Sequence, residues 1–267
     1  MRNNFVNLPD SFLATPIAHR GFHDCGNLKE SGKGPENSRQ SIIQGMNLGF
    51  GIEIDVRLSK DYVPIVVHDQ SLVRLCRKNM NVSESFATDL FKASLINGEF
   101  LPSLEEILFL VDGRVSLLIE VKTGEIDQDI ELIAKAICNL IRNYSGPLAL
   151  MSFDWSLLKA LAKYKPNTPI GLITQVFDKN KRSLMSDYEK LGIQEANLFT
   201  YGISFISHYY NNLSKELYER NTRVNRKVLT WTVYTKEMAK KVKKKCDNIT
   251  FEGFYPQTKE RDYKKID

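Results

Sequence analysis

Short apolar runs alternate along the chain with segments in which apolar residues recur every three or four positions. The runs predict eight strands, at residues 16–18, 51–56, 116–121, 148–153, 169–174, 202–207, 228–233 and 248–251. The intervening spacing predicts amphipathic helices at residues 38–48, 129–142, 156–164, 213–220 and 236–245. Strand and helix therefore alternate over most of the chain.

Regular alternation of strand and helix is typical of an α/β protein with a parallel sheet. Eight such units indicate a closed (β/α)8 barrel, the TIM-barrel architecture, and the chain length of 267 residues suits the about 250 residues that such a barrel needs. The sequence shows neither an internal repeat nor a linker. It therefore predicts a single barrel domain over residues 1–267.

One further strand-like run, at residues 63–67, breaks the alternation because it follows the second strand too closely. Parallel neighbours need a crossover of about a dozen residues or more, so this run cannot be the third barrel strand. It predicts a β-hairpin arm that folds over the barrel mouth and carries His68 there. Residues 70–101 then form a loop insertion with short helices, after which Ser103 and Glu106 have the spacing of a helix capping box.

The composition, 42% hydrophobic and 26% charged, is that of an ordinary globular protein. No apolar run approaches the about 18 to 20 residues of a membrane span. The first residues also lack the apolar stretch of a secretory signal, so we expect a cytoplasmic protein. The four cysteines form no C-x-x-C pair, which predicts free thiols rather than a zinc or redox site. They are Cys25, Cys76, Cys138 and Cys246.

The net charge of +5 is concentrated in two lysine-rich segments, at residues 236–245 and 259–265. Such segments attract phosphate-rich partners or an anionic membrane surface, so peripheral membrane contact is one interpretation. A solvated helix face is the simpler one. The run at residues 240–245 lacks the interleaved aromatic residues of a nucleic-acid stacking platform, and we expect no nucleic-acid partner.

Three carboxylates stand at the ends of two barrel strands. Glu53 and Asp55 are two residues apart and so point to one face, and Glu120 with Lys122 repeats this spacing on the next barrel strand. Barrel active sites are built at these C-terminal strand ends. Converging carboxylates repel one another unless a cation lies among them, and oxygen ligands favour Mg²⁺ or Ca²⁺. The alternative is a metal-free network in which basic side chains neutralise the acids: Arg20, Arg57 or Lys122.

Two of the four histidines also follow strand ends. His19 comes directly after the first strand, and His68 comes directly after the strand of the arm. Cleavage of a phosphodiester needs one group that accepts a proton and another that protonates the leaving alkoxide, and this pair suits both roles. His23, in a polar loop, and His208, after the run at residues 202–207, compete for the same roles.

Together these pieces resemble the glycerophosphodiester phosphodiesterase family, barrel enzymes of the phospholipase-C-like superfamily. The matching motifs follow the family's order between residue 17 and about residue 256: His19-Arg20-Gly21, Pro35-Glu36-Asn37-Ser38, Glu53-Ile54-Asp55-Val56, Val67-His68-Asp69, Leu101-Pro102-Ser103-Leu104-Glu105-Glu106, Ile119-Glu120-Val121-Lys122, Ser152-Phe153 and Thr230-Trp231-Thr232-Val233. The resemblance implies metal-dependent hydrolysis of small glycerophosphodiesters to sn-glycerol 3-phosphate and an alcohol.

The resemblance also implies a role for each motif residue. It makes one divalent cation, Mg²⁺ or Ca²⁺, the cofactor, with three ligands: Glu53, Asp55 and Glu120. The implied general acid and base are His19 and His68. The implied phosphate-binding residues are Arg20 and Lys122, and the implied substrate wall is Phe153 and Trp231, which suit ordinary barrel packing equally well. The family further suggests attack by the substrate's own glycerol hydroxyl through a cyclic phosphate, and direct attack by water stays open.

The motif at residues 35–38 allows two interpretations. Asn37 or Ser38 suits the cap of the first helix. Alternatively, Glu36 and Asn37 support the site, with Glu36 reaching towards the metal or the sugar hydroxyls.

Several segments depart from the family pattern. The link at residues 22–34 is longer than usual and predicts a lid or specificity loop. Residues 77–81 replace a glycine-rich stretch. The usual ending T-D-x-P reads Phe251-Glu252-Gly253-Phe254-Tyr255-Pro256. Two other functions therefore stay open: phospholipase-D-like action on lysophospholipids or sphingolipids, and a non-catalytic barrel that binds phosphorylated ligands or a membrane surface.

Overall fold

Eight parallel strands close into a barrel in the computed structural model, which describes residues 6–25, 33–123, 129–164, 167–175 and 193–256. The strands are β1 (Ile17–Ala18), β2 (Gly51–Leu58), β3 (Pro64–Val66), β4 (Leu117–Val121), β5 (Leu148–Ser152), β6 (Ile170–Thr174), β7 (Ile203–Tyr209), β8 (Lys227–Val233) and β9 (Asn248–Phe251). All of these except β3 belong to the barrel, so the predicted (β/α)8 fold is confirmed.

The ring closes at its shortest strand, β1. Ile17 pairs in parallel with Gly51 of β2 on one side and with Thr250 of β9 on the other. The remaining barrel strands pair in chain order, so each carboxyl end lies at the same mouth.

Helices follow most of the barrel strands. Those described are α1 (Ser11–Ala14), α2 (Arg39–Asn47), α3 (Val73–Cys76), α4 (Ala87–Leu90), α5 (Leu104–Val111), α6 (Ile130–Leu140), α7 (Trp155–Tyr164), α8 (Glu195–Thr200), α9 (Lys215–Arg223) and α10 (Lys236–Val242). The predicted capping box at the start of α5 is present, because Ser103 and Glu106 bond each other's backbone N–H. No helix in the described part of the chain is long and apolar enough to cross a membrane.

The arm strand β3 lies antiparallel to β2, with Val66 opposite Val56. This is the hairpin pairing expected from the short connection. The loop insertion after it contains α3 and α4 and buries its own apolar cluster against β3. The arm and insertion thus form one packed unit beside the barrel mouth.

Below the mouth the barrel interior is apolar. Leu118, Met151 and Phe205 belong to one buried cluster with Phe12 of α1, which precedes the ring. Gly171 of β6 lies opposite Phe205 of β7, and the Phe205 ring occupies the space where a Cβ on Gly171 would stand. This packing leaves the carboxyl ends of the strands as the polar end of the barrel.

Two predicted features fall partly on residues that the structure leaves undescribed. The proposed lid at 22–34 includes residues 26–32, and the second lysine-rich segment at 259–265 lies wholly outside the described ranges. The first segment begins with α10, where Lys236, Lys240 and Lys241 are exposed. This exposure agrees with a solvated helix face.

Candidate active site

The three acids predicted to bind metal lie together at the mouth of the barrel. In the sheet register Asp55 of β2 pairs with Glu120 of β4, and Glu53 lies two residues below Asp55 on the same face. Glu53 and Asp55 are each only 1% exposed. One oxygen from each of the three carboxylates lies within 4.8 Å of the others. We refer to Glu53, Asp55 and Glu120 as the carboxylate trio.

Two basic residues lie against the trio. The Lys122 Nζ atom is 3.2 Å from Asp55 Oδ1 and 2.5 Å from Glu120 Oε1. Arg20 Nε is 3.2 Å from Asp55 Oδ2. Part of the metal-free network considered from the sequence is therefore present. Arg57 donates from Nε to the His68 carbonyl at 2.6 Å.

Burial and neighbouring charges shift the pKa values of the three acids in different directions. Burial, and then the nearby carboxylates of Asp55 and Glu120, raise the pKa of Glu53 well above its ordinary value. Burial also acts to raise the pKa of Asp55, but Lys122 and Arg20 outweigh it, and the net shift is downward. The pKa of Glu120 is raised by burial, against the opposing effect of Lys122.

The donor set fits a hard divalent cation. Glu53 Oε2 accepts a hydrogen bond from the Arg20 backbone at 2.9 Å. Glu53 Oε1 is buried, and no hydrogen-bond partner is found for it among the described residues. When all three acids are ionised they exceed the two cations by one charge; burial and then this repulsion raise the pKa of Glu53, and an oxygen without a donor is a natural metal ligand.

Asn37 holds the central acid of the trio from the side. Its Nδ2 donates to Asp55 Oδ2 at 2.9 Å, and its Oδ1 accepts from the Asp55 backbone N–H at 3.1 Å. The helix cap is Ser38 instead, whose Oγ accepts from the Ser41 N–H. The two interpretations of the motif thus apply to neighbouring residues.

Glu36 faces arginines. Its carboxylate is 2.8 Å from Arg20 Nη1 and 2.7 Å from Arg74 Nη1. Arg74 also donates from Nε to Asp69 Oδ2 at 2.6 Å. Sequence reasoning did not single out Arg74, which lies in α3 of the insertion. Its position after His68-Asp69 was the available signal, and its link to Glu36 becomes visible only in the folded chain.

The His68 imidazole is anchored at one nitrogen. Its Nδ1 lies 2.7 Å from Asp69 Oδ1, which leaves Nε2 on the other side of the ring. His68 also lines a cavity of about 420 Å³ between the arm and the insertion. The other residues that line it are all polar or charged: Arg57, Asp69, Gln70, Ser71, Asn81 and Glu84.

His19 is anchored in the same way by a residue that sequence reasoning did not assign to the site. Its Nδ1 lies 2.6 Å from Glu252 Oε2, and its backbone N–H donates to the Phe251 carbonyl. Burial lowers the pKa of His19, and the hydrogen bond to Glu252 opposes this shift. The signal in the sequence was a carboxylate directly after the last barrel strand.

The competing histidines occupy different surroundings. His23 is buried, with Nε2 3.8 Å from Glu252 Oε2. His208 is buried on β7, and its Nδ1 lies 2.7 Å from Thr174 Oγ1 on β6. His208 thus joins two barrel strands, whereas His23 lies beside the partner of His19.

Aromatic residues line another part of the mouth. Phe153 and Trp231 meet edge to face with ring centroids 5.6 Å apart. Phe153 is 42% exposed, and the Trp231 Nε1 donates to the Ser207 carbonyl. Tyr209 extends the group at 5.5 Å from Trp231. The predicted wall residues therefore touch each other, and Tyr209 is an addition that the strand pattern did not suggest.

Known proteins share this sequence pattern and fold. The profile of the Glycerophosphoryl diester phosphodiesterase family matches residues 19–252. A glycerophosphodiester phosphodiesterase of Caldanaerobacter subterraneus subsp. tengcongensis is 29% identical over 245 residues, covering 87% of this chain and 91% of the relative. A probable glycerophosphodiester phosphodiesterase 2 of Mycobacterium tuberculosis is 33% identical over 125 residues, 46% of this chain and 44% of the relative.

Two solved structures share the fold at low sequence identity. An Oleispira antarctica phosphodiesterase in complex with sn-glycerol-3-phosphate superposes with a TM-score of 0.74 at 21% identity, over 91% of this chain and 94% of that one. A glycerophosphodiester phosphodiesterase from Parabacteroides distasonis gives a TM-score of 0.71 at 19% identity, over 89% and 92%. These likenesses support the barrel architecture.

Proposed function

The chain belongs to the glycerophosphoryl diester phosphodiesterase family, and on that premise we propose that it hydrolyses glycerophosphodiesters to sn-glycerol 3-phosphate and an alcohol in a metal-dependent reaction. The observation that carries the proposal is the buried carboxylate trio, in which one Glu53 oxygen has no hydrogen-bond partner within the described part of the chain. Two fixed cations lie on it, Arg20 and Lys122. Such a site suits an anionic phosphoryl group.

Glu53, Asp55 and Glu120 would hold one Mg²⁺ or Ca²⁺. A cation bound there would neutralise phosphate oxygen charge as the transition state forms. The protein itself supplies Arg20 and Lys122, whose fixed charges are placed to bind the other phosphate oxygens. Positioning and charge neutralisation account for most of the catalysis in phosphoryl transfer.

His19 and His68 are the proposed proton carriers. One removes a proton from the attacking oxygen, which belongs to water or to the substrate's own glycerol hydroxyl. The other donates a proton to the oxygen of the leaving alcohol as the P–O bond breaks. Each ring has Nδ1 held by a carboxylate, so each can exchange protons through Nε2.

The test is release of sn-glycerol 3-phosphate from glycerophosphocholine by purified protein. The protein is treated with a chelator, and the assay is repeated after Mg²⁺ or Ca²⁺ is restored. Release that disappears and returns with the metal supports the proposal. Equal release in the chelated protein would contradict the role of the trio, and no release with either metal would contradict the substrate.

Two alanine variants test the assigned roles. Glu53→Ala and His19→Ala should each abolish turnover while the thermal unfolding midpoint shows a folded protein. Glu105→Ala, which removes an exposed carboxylate from α5, is the matched control and should keep full activity. Retained turnover in either site variant would refute the role given to that residue.

A second substrate class is favoured by one observation, the exposed aromatic side chains at the mouth. Phe153 is 42% exposed and Tyr234 is 46% exposed, which suits contact with a lipid chain or interface. Related barrels act on lysophospholipids or sphingolipids. Rates on micellar lysophosphatidylcholine and on glycerophosphocholine separate the two classes. The third interpretation, a non-catalytic binding barrel, is wrong for a member of this enzyme family.

A further inference from the structure

Two histidines lie near one carboxylate at the seam of the barrel, where β1 pairs with β9 and closes the ring. His19 Nδ1 lies 2.6 Å from Glu252 Oε2, and His23 Nε2 lies 3.8 Å from the same oxygen. The His23 side chain is only 5% exposed, and no hydrogen-bond partner for its Nε2 is found within the described ranges. A buried polar atom is therefore directed at Glu252.

The hydrogen bonds assign a tautomer to each ring. Because a carboxylate only accepts, the 2.6 Å contact with Glu252 places a proton on His19 Nδ1 and leaves a lone pair on Nε2 in the neutral ring. His23 Nδ1 accepts from the Cys25 backbone N–H at 3.0 Å. The proton of His23 therefore belongs on Nε2, the atom that faces Glu252.

This tautomer assignment argues against a metal ion bound between His19, His23 and Glu252. A metal bound by His23 Nε2 would need the lone pair of that atom, whereas the bond from Cys25 already uses the lone pair on Nδ1. The arrangement instead supplies two N–H groups to one carboxylate. The N–H dipoles of both rings then point at the Glu252 carboxylate, His19 at hydrogen-bonding distance and His23 at 3.8 Å.

The backbone fixes where Glu252 stands. Its N–H donates to the Val233 carbonyl at 3.0 Å, and the His19 N–H donates to Phe251 at 2.9 Å. The carboxylate and the imidazole therefore extend from adjacent ends of β9 and β1. Their relative position follows from ring closure.

The carboxylate that anchors His68, the second proposed catalytic histidine, has a different partner. Asp69, which anchors His68, is bonded by Arg74 at 2.6 Å. Glu252 has His23 in the corresponding place, although at a longer distance. A histidine ring thus stands where the other site has an arginine guanidinium, and the setting of Glu252 on the His19 side depends on residue 23.

We propose that Glu252 and His23 are positioning residues for His19, in which His23 orients the Glu252 carboxylate and Glu252 holds His19 with Nε2 facing the substrate. The proposal rests on the proposed function and deepens it. Neither residue touches the reacting atoms. A wrong tautomer of His19 would turn a donor N–H towards the site in place of the lone pair needed to accept a proton.

Nitrogen NMR of the histidine rings tests the tautomer without any turnover. In ¹⁵N-labelled protein at roughly two units above the ordinary histidine pKa of about 6.5, His19 should be protonated at Nδ1, with the signal assigned by its loss in His19→Gln. Glu252→Gln should change this tautomer population, and Glu105→Gln should not. A wild-type His19 protonated mainly at Nε2 would overturn the proposal, even if the enzyme is fully active.

Kinetics provides the second measurement. Glu252→Gln should lower kcat by about tenfold to hundredfold, the range for outer partners of catalytic groups, with KM changed less than about threefold. Glu252→Asp should restore part of the loss, and Glu105→Gln should match the wild type. An equal loss in Glu252→Asp and Glu252→Gln, or a change confined to KM, would contradict positioning.

The role of His23 is tested by a matched pair. His23→Gln keeps an N–H donor near the position of Nε2, whereas His23→Leu removes it, so only the second should lower kcat strongly. Since His23 acts through Glu252, the double variant His23→Leu/Glu252→Gln should be no slower than Glu252→Gln alone. Additive losses would overturn this part. If wild-type protein hydrolyses no diester, the proposed function fails while the NMR result still decides the tautomer.

Discussion

The side-chain amide of Asn37 fixes the orientation of the Asp55 carboxylate. Asn37 bonds both the side chain and the backbone N–H of Asp55, and it does so from a left-handed backbone conformation with φ +57°. Residues other than glycine adopt this conformation rarely, and asparagine is among those that tolerate it best. The residue type thus serves the turn and the proposed metal site together.

The first prediction concerns this amide. Asn37→Gly deletes the side chain but permits the same backbone conformation, so it should weaken the orientation of Asp55 without adding strain. The Mg²⁺ concentration for half-maximal turnover should rise by about tenfold to hundredfold, as is usual for partners of metal ligands. The control is Asn97→Gly, at an exposed position outside the helices, which should leave the Mg²⁺ requirement unchanged. An unchanged metal requirement in Asn37→Gly would contradict the assigned role.

The second residue-scale prediction concerns the thiols. Cys25 is exposed, whereas burial raises the pKa of Cys76 to about 11 and that of Cys246 to about 12. Because the thiolate is the reactive form, Cys25 should react quickly with an aromatic disulfide reagent while the buried cysteines wait for unfolding. The absorbance change in native and denatured protein measures this. Cys25→Ser should remove the fast phase, and a fast phase that persists would contradict the prediction.

At the scale of elements, Arg74 of α3 joins the insertion to the loop before α2. One guanidinium bonds Glu36 through two nitrogens and Asp69 through a third. Both acids adjoin proposed catalytic groups, since Glu36 pairs with Arg20 and Asp69 with His68. The insertion therefore contributes to the order of the active site.

Arg74→Lys tests this link. A lysine ammonium keeps the charge but lacks the planar fork that reaches both acids, so turnover should fall by about tenfold, the lower end for outer partners. The measurement is kcat/KM on glycerophosphocholine. Arg223→Lys, at an exposed position in α9, should leave the rate unchanged. A normal rate in Arg74→Lys would show that charge alone is sufficient.

The pairing of β6 with β7 leads to a prediction about stability. A Cβ on Gly171 would lie 2.2 Å from the Phe205 ring, so Gly171→Ala forces the ring to move. Overpacking of this kind should lower the free energy of unfolding by about 1 to 3 kcal/mol. Urea unfolding measures the change. Adding Phe205→Leu should reduce the loss caused by alanine, and strictly additive losses would contradict direct contact.

The alternation of apolar runs was enough to predict the barrel, because a strand followed by a helix has few ways to bury its apolar face. It also placed Glu53, Asp55 and Glu120 together, since strand ends in a parallel barrel share one mouth. It missed Arg74 and Glu252. Their contacts depend on the path of the insertion and on ring closure, which local spacing does not specify.

Across the whole molecule, acids with lowered pKa values make stability depend on pH. Bonds from His68 and then from Arg74 lower the pKa of Asp69 below its ordinary 3.8. Burial acts to raise the pKa of Glu252, but the bonds and charges of His19 and His23 together outweigh it, and the net shift is downward. As the pH falls through the ordinary values, the unfolded chain takes up protons before these folded groups do, which favours unfolding.

We therefore expect the free energy of unfolding of the metal-free protein to fall as the pH drops below about 4, the ordinary range of these carboxyl groups. Asp69→Asn should flatten part of this fall and lower stability at neutral pH. Asp89→Asn, at an exposed site, should change neither much. Urea titrations at several pH values give the slopes. Equal slopes for Asp69→Asn and the wild type would contradict the contribution of Asp69.

The seam between β1 and β9 has a consequence for how activity is acquired. The contact between His19 and Glu252 joins residues separated by 233 positions, so almost the whole chain must come together before it forms. Contacts of such long range appear late when a chain refolds, because the entropy of a large loop must be lost first. Helices and neighbouring strand pairs can form earlier. Recovery of turnover in a refolding time course would thus report the closure of the ring. A compact chain in which β1 and β9 are not yet paired would have no activity.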